Sequence, residues 1–152
     1  MSFVIVAGVA VVFLPSGMKK SGTQSMPTGD WGQITGWVAD TAGYPGSVVV
    51  GTTKNGLKAL ADNTSAKVLA AIPFTDATTG FGGATQLQAR LRVNSKIVAT
   101  IDPPVEGPSG TLSVSATVDI AAGDVVTVEA LASVSPGGLE GTISAGGYVR
   151  IT

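Results

Sequence analysis

The sequence contains no cysteine and no histidine among its 152 residues. Without cysteine the chain cannot form a disulfide bond, a thiolate metal site or a cysteine nucleophile. Without histidine it lacks the commonest general base and the commonest metal ligand. We therefore expect no catalytic residue, no cofactor and no metal ion, and we predict that the protein is not an enzyme.

Charged residues are also scarce. They make up 12% of the chain, against roughly 25% in typical globular proteins, and the net charge is −1. The only adjacent basic residues are Lys19 and Lys20, so we expect no nucleic-acid partner. Hydrophobic residues make up 44% of the chain, which is too many for a disordered protein. The composition predicts a folded subunit whose surface is largely covered by neighbours.

One apolar run without charge, residues 3–14, lies near the N-terminus. A transmembrane helix needs about 20 apolar residues, and a signal peptide needs basic residues ahead of its apolar run. Because this run meets neither condition, we expect a buried strand or strand pair, in a sheet or a subunit interface, and no membrane contact. A processed leader is the alternative. Residues 15–29 are predicted to be a loop with a short edge segment at residues 24–27. The region 1–29 is also a candidate extension into a neighbouring subunit.

Residues 111–132 carry the clearest pattern in the chain, an alternation of apolar and polar side chains on either side of a short break at Gly123. A period of two is typical of strands that bury one face. The predicted inward residues are Leu112, Val114, Ala116, Val118, Ile120, Val126, Val128, Ala130 and Ala132. Two such strands across a four-residue loop predict an antiparallel hairpin.

Similar alternation recurs elsewhere, at residues 86–93 before an Asn94–Ser95 turn and again at residues 148–151. Pro73 should confine the strand at residues 66–74 to an edge or an end. Residues 52–62 are compatible with a strand or with one helical turn, and we prefer a strand. Together, these strand patterns predict a single all-β domain over residues 1–152. We expect an antiparallel β-sandwich or jelly roll of eight to ten strands with little or no helix.

Few polar side chains are candidates for catalysis or ligand binding. Asp119 and Glu129 lie on the polar face of the predicted hairpin, where they could approach each other as a glycosidase pair would. We expect two solvated surface carboxylates instead. Arg90 and Arg92 lie on the polar face of their strand, and we expect them to pair with carboxylates of a neighbouring subunit.

The aromatic residues Trp31, Trp37 and Tyr44 fall close together in the sequence, with both tryptophans in a predicted strand at residues 31–40. We expect both tryptophans to anchor the core or an interface. Because aromatic faces also stack on sugar rings, a glycan-binding site formed by these three residues is the alternative.

A family resemblance rests on four segments, which are residues 72–75 (Ile-Pro-Phe-Thr), 91–96 (Leu-Arg-Val-Asn-Ser-Lys), 120–124 (Ile-Ala-Ala-Gly-Asp) and 147–151 (Gly-Tyr-Val-Arg-Ile). Their order over residues 66–152 resembles the jelly rolls of the complement C1q and tumour-necrosis-factor (TNF) type. The resemblance implies a C1q/TNF-like fold and a homotrimer.

The whole chain, including residues 31–47, resembles small virion proteins of tailed bacteriophages that infect actinobacteria. These are commonly labelled minor tail proteins, and related jelly rolls decorate capsids. The resemblance implies a non-enzymatic structural protein, a minor tail protein, assembled in the host cytoplasm and joined to other virion proteins. A capsid decoration (cement) protein of the same fold is one alternative, and a carbohydrate- or receptor-binding module that contacts a host-surface glycan is another.

Overall fold

The structure is a computed structural model that describes residues 12–78 and 85–152. Within these residues there is no helix, and eight strands have four or more residues. The strands in chain order are β1 (Ser16–Lys20), β2 (Gln24–Ser25), β3 (Gly32–Gln33), β4 (Trp37–Ala39), β5 (Val49–Val50), β6 (Gly56–Lys58), β7 (Asn63–Thr78), β8 (Gln86–Val93), β9 (Lys96–Thr100), β10 (Val105–Glu106), β11 (Gly110–Ile120), β12 (Val125–Ser133), β13 (Leu139–Ile143) and β14 (Tyr148–Ile151). The predictions for residues 1–11 and 79–84 lie outside the described residues.

The first sheet, sheet A, is organised around β7, which is 16 residues long. On one side β7 pairs with β11, and on the other side it pairs first with β14 and then with β13. Beyond β14 the sheet continues through β1 to β4, and β2 pairs with the outer side of β13. All of these pairings are antiparallel.

The second sheet, sheet B, has β8 and β12 at its centre, paired antiparallel over eight positions. Strands β9 and β10 pair with the other side of β8. Strands β3 and β6 pair with the other side of β12, and β5 follows β6. The two sheets face each other across one core, which confirms the predicted antiparallel β-sandwich.

The predicted hairpin at residues 111–132 is wrong in its pairing. Both strands exist as β11 and β12, but β11 pairs with β7 in sheet A and β12 pairs with β8 in sheet B. The connection crosses between the sheets at a turn where Gly123 has a φ of 93° and its N–H bonds the carbonyl of Ala59. Alternation marks which side of a strand is buried, and two strands that bury their sides from opposite sheets show the same alternation as a hairpin.

The expected loop at residues 15–29 is also partly wrong, because residues 16–20 form β1 between β14 and β4 of the same chain. Gly17 lets the Tyr44 ring pack directly on the backbone of β1, because a Cβ on Gly17 would clash with Cδ2 of that ring. Residues 16–20 therefore pair within their own sandwich, and an extension of the region 1–29 into a neighbouring subunit stays a prediction. Strand β2 confirms the predicted short edge segment.

Pro73 lies in a central strand, contrary to the prediction of an edge or an end. On the β13–β14 side of β7, the pairing with β14 stops at Ala71 and the pairing with β13 begins at Phe74. The carbonyl of Pro73 accepts a hydrogen bond from the N–H of Ser144 on that side. The missing N–H of proline therefore falls in the gap between two partner strands and removes no ladder hydrogen bond.

Two further segments were predicted to be strands, residues 31–40 and residues 52–62. The segment at residues 31–40 is not one strand, since β3 joins sheet B and β4 joins sheet A. Residues 52–62 contain β6, which pairs antiparallel with β5, so the preference for a strand over a helical turn is confirmed. The turn at Asn94–Ser95 between β8 and β9 is confirmed as well.

The core between the sheets consists of the inward side chains that the alternation predicts. Of the nine inward residues predicted for residues 111–132, seven are buried, while Ala116 and Val118 are half-buried near one end of β11. The centre of the core comes mainly from three strands, through Val68, Ala70, Ile72, Leu87, Ala89, Leu91, Val126, Val128 and Ala130.

Truncation of a central core residue should be costly. Ile72 is fully buried, and we expect Ile72→Ala to lower the free energy of unfolding by about 2–5 kcal/mol, because the lost methyl groups leave a cavity. Ile97 is 45% exposed, so Ile97→Ala, the same chemical change, should cost less than about 1 kcal/mol. Urea-induced unfolding of both variants measures the difference, and equal losses would contradict the assigned core.

Candidate interaction surfaces

An arginine–glutamate cluster lies on the outer face of sheet B, the face that points away from the core. Alternation along β8 directs Arg90 and Arg92 outward, and Glu129 lies directly opposite Arg90 on β12. Arg90 Nε donates to Glu129 Oε2, and Arg92 Nη1 donates to Glu129 Oε1 over 2.9 Å. Arg92 Nη2 also donates to the carbonyl of Ser95. One carboxylate therefore holds two guanidinium groups.

Two expectations about these charges are wrong. Glu129 is only 5% exposed and is not a solvated carboxylate. Arg90 and Arg92 pair with a carboxylate of the same chain instead of a neighbour's. The reason is the strand order, because β8 and β12 are adjacent and place Arg90 beside Glu129. Asp119 is exposed on β11 in the opposite sheet, so the possible glycosidase pair of Asp119 and Glu129 is not brought together.

Trp31 covers one end of this cluster. The guanidinium carbon of Arg90 lies 4.3 Å from the centroid of the Trp31 ring, which is cation–π geometry. Trp31 precedes β3, whose Gln33 lies opposite Glu129 on the other side of β12. The indole remains half-buried, so part of it stays at the surface.

An open groove of about 630 Å³ adjoins the cluster on the same face. A cross-strand row of Ser133, Gln86 and Glu106 lies along it, and Gln86 Nε2 donates to Glu106 Oε1 over 3.0 Å. Leu131 also lines the groove and lies two residues from Glu129 on the outward side of β12. The groove and the arginine cluster therefore lie on one face and adjoin at Leu131, and we call the two together the sheet B groove.

The outer face of sheet A has a different character. One cross-strand row over β4, β1, β14, β7 and β11 contains Val38, Lys19, Tyr148, Ala71 and Ser113. The next row contains Gly17, Arg150, Leu69 and Ser115. Toward β7 and β11 the side chains of these two rows are uncharged. A shallow concavity of about 250 Å³ lies there, and Lys67 of the following row lines its border. We call this part, formed by Leu69, Ala71, Ser113, Ser115 and Tyr148, the sheet A face.

A charged and aromatic group borders the sheet A face. The Arg150 guanidinium lies 3.9 Å from the Tyr148 ring centroid and 5.6 Å from that of Tyr44. Lys19 Nζ lies 2.9 Å from Asp40 Oδ1, and the backbone N–H of Gly43 donates to the same oxygen. The hydrogen bonds from Lys19 and Gly43 hold the pKa of Asp40 below its ordinary value.

The three predicted aromatic residues have separate surroundings. Trp37 is fully buried in the core and its Nε1 donates to the carbonyl of Ile34 over 2.8 Å, so it presents no face to a sugar. Trp31 lies beside Arg90 on sheet B, and Tyr44 lies over β1 in sheet A. The expectation of a core anchor is confirmed for Trp37. A role in glycan binding stays a prediction for Trp31 and Tyr44.

The sequence pattern missed the sheet B groove. Glu106, Gln86 and Ser133 come from three strands that are far apart in the sequence, and only the sheet order brings them together.

Residues 12–78 and 85–152 hold no group of three or more carboxylate, histidine or cysteine side chains that could bind a metal ion. None of these residues forms a helix with the length and apolarity that a bilayer crossing requires.

Comparisons with known proteins bear on the fold. No family model matches the chain, and no curated protein matches its sequence. Among solved structures, the fold is similar to the Eiger TNF from S. frugiperda, with a TM-score of 0.59 and 11% identity over 91% of this chain and 90% of that chain. Murine APRIL aligns with a TM-score of 0.47 and 13% identity, over 90% of this chain and 97% of that chain. The similarity to the Eiger TNF confirms the predicted TNF-like jelly roll.

Acid should weaken the contribution of Asp40 to stability. Because the pKa of Asp40 is lowered in the folded state, its carboxylate stabilises the fold above the unfolded-state pKa of about 4. That contribution disappears as the pH falls through the folded-state pKa. We therefore expect Asp40→Asn to be less stable than the natural protein at pH 7 and the difference to shrink toward pH 2. Thermal unfolding of both proteins between pH 7 and pH 2 measures this stability difference. A difference that does not change with pH would contradict a stabilising role of the Asp40 carboxylate.

Removal of Glu129 should destabilise the fold, because it leaves Arg90 and Arg92 without their shared carboxylate. We expect Glu129→Ala to lower the free energy of unfolding by about 2 kcal/mol, a value reduced for the partial exposure of both arginines. Asp119→Ala, which removes an exposed carboxylate from the opposite sheet, should change it by less than about 0.5 kcal/mol. Urea-induced unfolding measures both, and an unaffected Glu129→Ala variant would show that the cluster is not a stabilising contact.

Proposed function

We propose that the chain is the subunit of a homotrimeric, non-enzymatic structural protein of a bacteriophage virion, a minor tail protein. The TNF-like jelly roll fits a trimeric domain. The resemblance of the sequence to small phage virion proteins and the low charge of its composition support the virion role. A capsid decoration protein of the same fold is the alternative position in the particle.

The observation that carries the trimer is the sheet A face. Its side chains are short or apolar, and the charged groups around it lie at its border, at Lys19, Arg150 and Lys67. The centres of stable interfaces are depleted in charge and enriched in tyrosine and arginine. Tyr148 and Arg150 therefore lie where a neighbouring copy would find an anchor.

The edge of β11 supports the same surface. Strand β11 is 11 residues long and, among the described residues, pairs only with β7. Its outward side chains are Ser113, Ser115, Thr117 and Asp119, so a single charge protects this edge. Long edge strands with few charges pair readily with other chains unless something covers them. A second copy that packs on the sheet A face would also cover this edge.

A ring of three copies is the closed arrangement that we propose. A head-to-tail contact closes into a ring of three when it relates neighbouring subunits by a rotation of one third of a turn. In such a ring the sheet A face of every subunit is covered. Concealment of the sheet A face in every subunit agrees with the scarcity of charge in the sequence.

A glycan- or receptor-binding module is the second candidate function, and the sheet B groove favours it. The groove lies on the sheet opposite to the proposed trimer contact. Both functions could therefore reside in one virion protein, with one sheet used for assembly and the other left available for a host-surface glycan.

The trimer is tested by size-exclusion chromatography with light scattering. We expect a particle of three 15.1 kDa chains. Ser113→Glu should shift it toward the monomer, because it places a charge at the centre of the proposed contact where it would lose its hydration. Thr53→Glu adds the same charge in an exposed turn beside β4, at the sheet A edge away from β11, and should leave the trimer intact. A monomeric natural protein, or equal effects of the two variants, would contradict the contact.

The virion role is tested separately by immunogold electron microscopy of particles from a phage that encodes the chain. Label at the tail supports a minor tail protein, and label over the head supports capsid decoration. Purified particles without label would overturn the virion role and leave the trimer unaffected.

A further inference from the structure

We propose that the sheet B groove binds a neutral, hydroxyl-rich oligosaccharide, with one end of the sugar chain on Glu106 and Gln86 and the other end on Trp31. This inference deepens the second candidate function and does not depend on the trimer. It names a ligand class and a location, neither of which follows from the jelly-roll fold.

The first element is the row of hydrogen-bonding side chains. Ser133, Gln86 and Glu106 stand side by side on three neighbouring strands and point out of the sandwich. The bond from Gln86 to Glu106 fixes the carboxylate, so that its second oxygen can accept from a hydroxyl. Thr28 and Gly29, which lie alongside Ala132 of β12, also line the groove. A hydroxyl, an amide and a carboxylate in one row match the alternating donors and acceptors of a sugar.

The second element is the aromatic end. The row of Ser133 and Gln86 is separated from the row of Glu129 and Arg90 by four residues along each strand. At about 3.3 Å per residue this is about 13 Å, a length on the scale of a short oligosaccharide. Leu131 lies between the two rows and supplies an apolar floor. Trp31, held over Arg90, supplies an aromatic body with a polar edge, which suits the apolar face of a sugar ring.

The third element is rigidity. Trp31 is positioned by Arg90, Arg90 by the buried Glu129, and Glu129 by Arg92 as well. The segment with Thr28 and Gly29 is fixed by a hydrogen bond from the N–H of Ala132 to the carbonyl of Pro27. A site whose side chains are already ordered pays little entropy on binding.

The charges and the volume define the ligand class. Arg90 and Arg92 are balanced by Glu129 and Glu106, so the surface carries no net charge and offers no advantage to a phosphate or to a strongly acidic polymer. The part of the site lined by Leu131, Ser133, Gln86 and Glu106 has a volume of about 630 Å³, within the range of about 300–1,000 Å³ that is typical of ligand sites. Trp31 lies outside this volume, beyond Leu131. A neutral oligosaccharide fits this combination of polar groups, one aromatic ring and zero net charge.

The experiment uses the full chain on a printed array of neutral hexose and N-acetylhexosamine oligosaccharides, with acidic oligosaccharides on the same array. We expect binding to neutral members. The strongest of them is then titrated calorimetrically against Trp31→Ala and Ser133→Trp, which fills the groove. Each variant should lose at least about tenfold in affinity. Val38→Ala removes an exposed apolar side chain from the opposite sheet and should bind as the natural protein does.

Each result decides the proposal. No binding to any neutral oligosaccharide, preference for acidic ones, or equal losses for Trp31→Ala and Val38→Ala would overturn it. Ser133→Trp changes an exposed position, so it keeps the test decisive if Trp31→Ala fails to fold. Light scattering on the same samples reports the oligomeric state, which separates failure of this inference from failure of the proposed trimer.

Discussion

The structure depends on two consecutive strands, β11 and β12, that bury their apolar sides in one core from opposite sheets. Neither strand could be stable alone, since each leaves one face of apolar side chains that must be removed from water. Strand β7 supports the first of them along ten paired positions, and β8 supports the second along eight. The short turn at Gly123 therefore carries the chain from one layer of the sandwich to the other, and the rest of the fold assembles around that crossing.

The same alternation gives the two outer faces their different characters. On sheet A the outward positions near β11 are filled by serine, alanine and leucine, which can be covered by another protein at little cost in desolvation. On sheet B the outward positions hold arginine, glutamine and glutamate, whose charges are satisfied within the chain at Glu129. One face is thus suited to permanent contact with a copy, and the other to reversible contact with a polar ligand.

Local patterns in the sequence predicted the inward residues of β8, β11, β12 and β14 and the turn at Asn94, because burial repeats every second residue along a strand. They could not predict partners. The pairing of β11 with β7, the strand at residues 16–20 and the tolerated Pro73 all depend on which strand lies alongside. Glu129 shows the same limit for the candidate site. Its position on an outward face indicated solvent, and only the neighbouring β8, with Arg90 and Arg92, explains why it is buried.

The central claim is that a second copy covers β11 and the sheet A face, and amide hydrogen exchange measures it most directly. The natural protein and the Ser113→Glu variant would be compared, with β7 as the internal reference because partner strands flank it on both sides. We expect the amides of β11 to exchange slowly in the natural protein and much faster in the variant, while those of β7 stay slow in both. Amides of β11 that exchange at the same rate in the two proteins would contradict the claim.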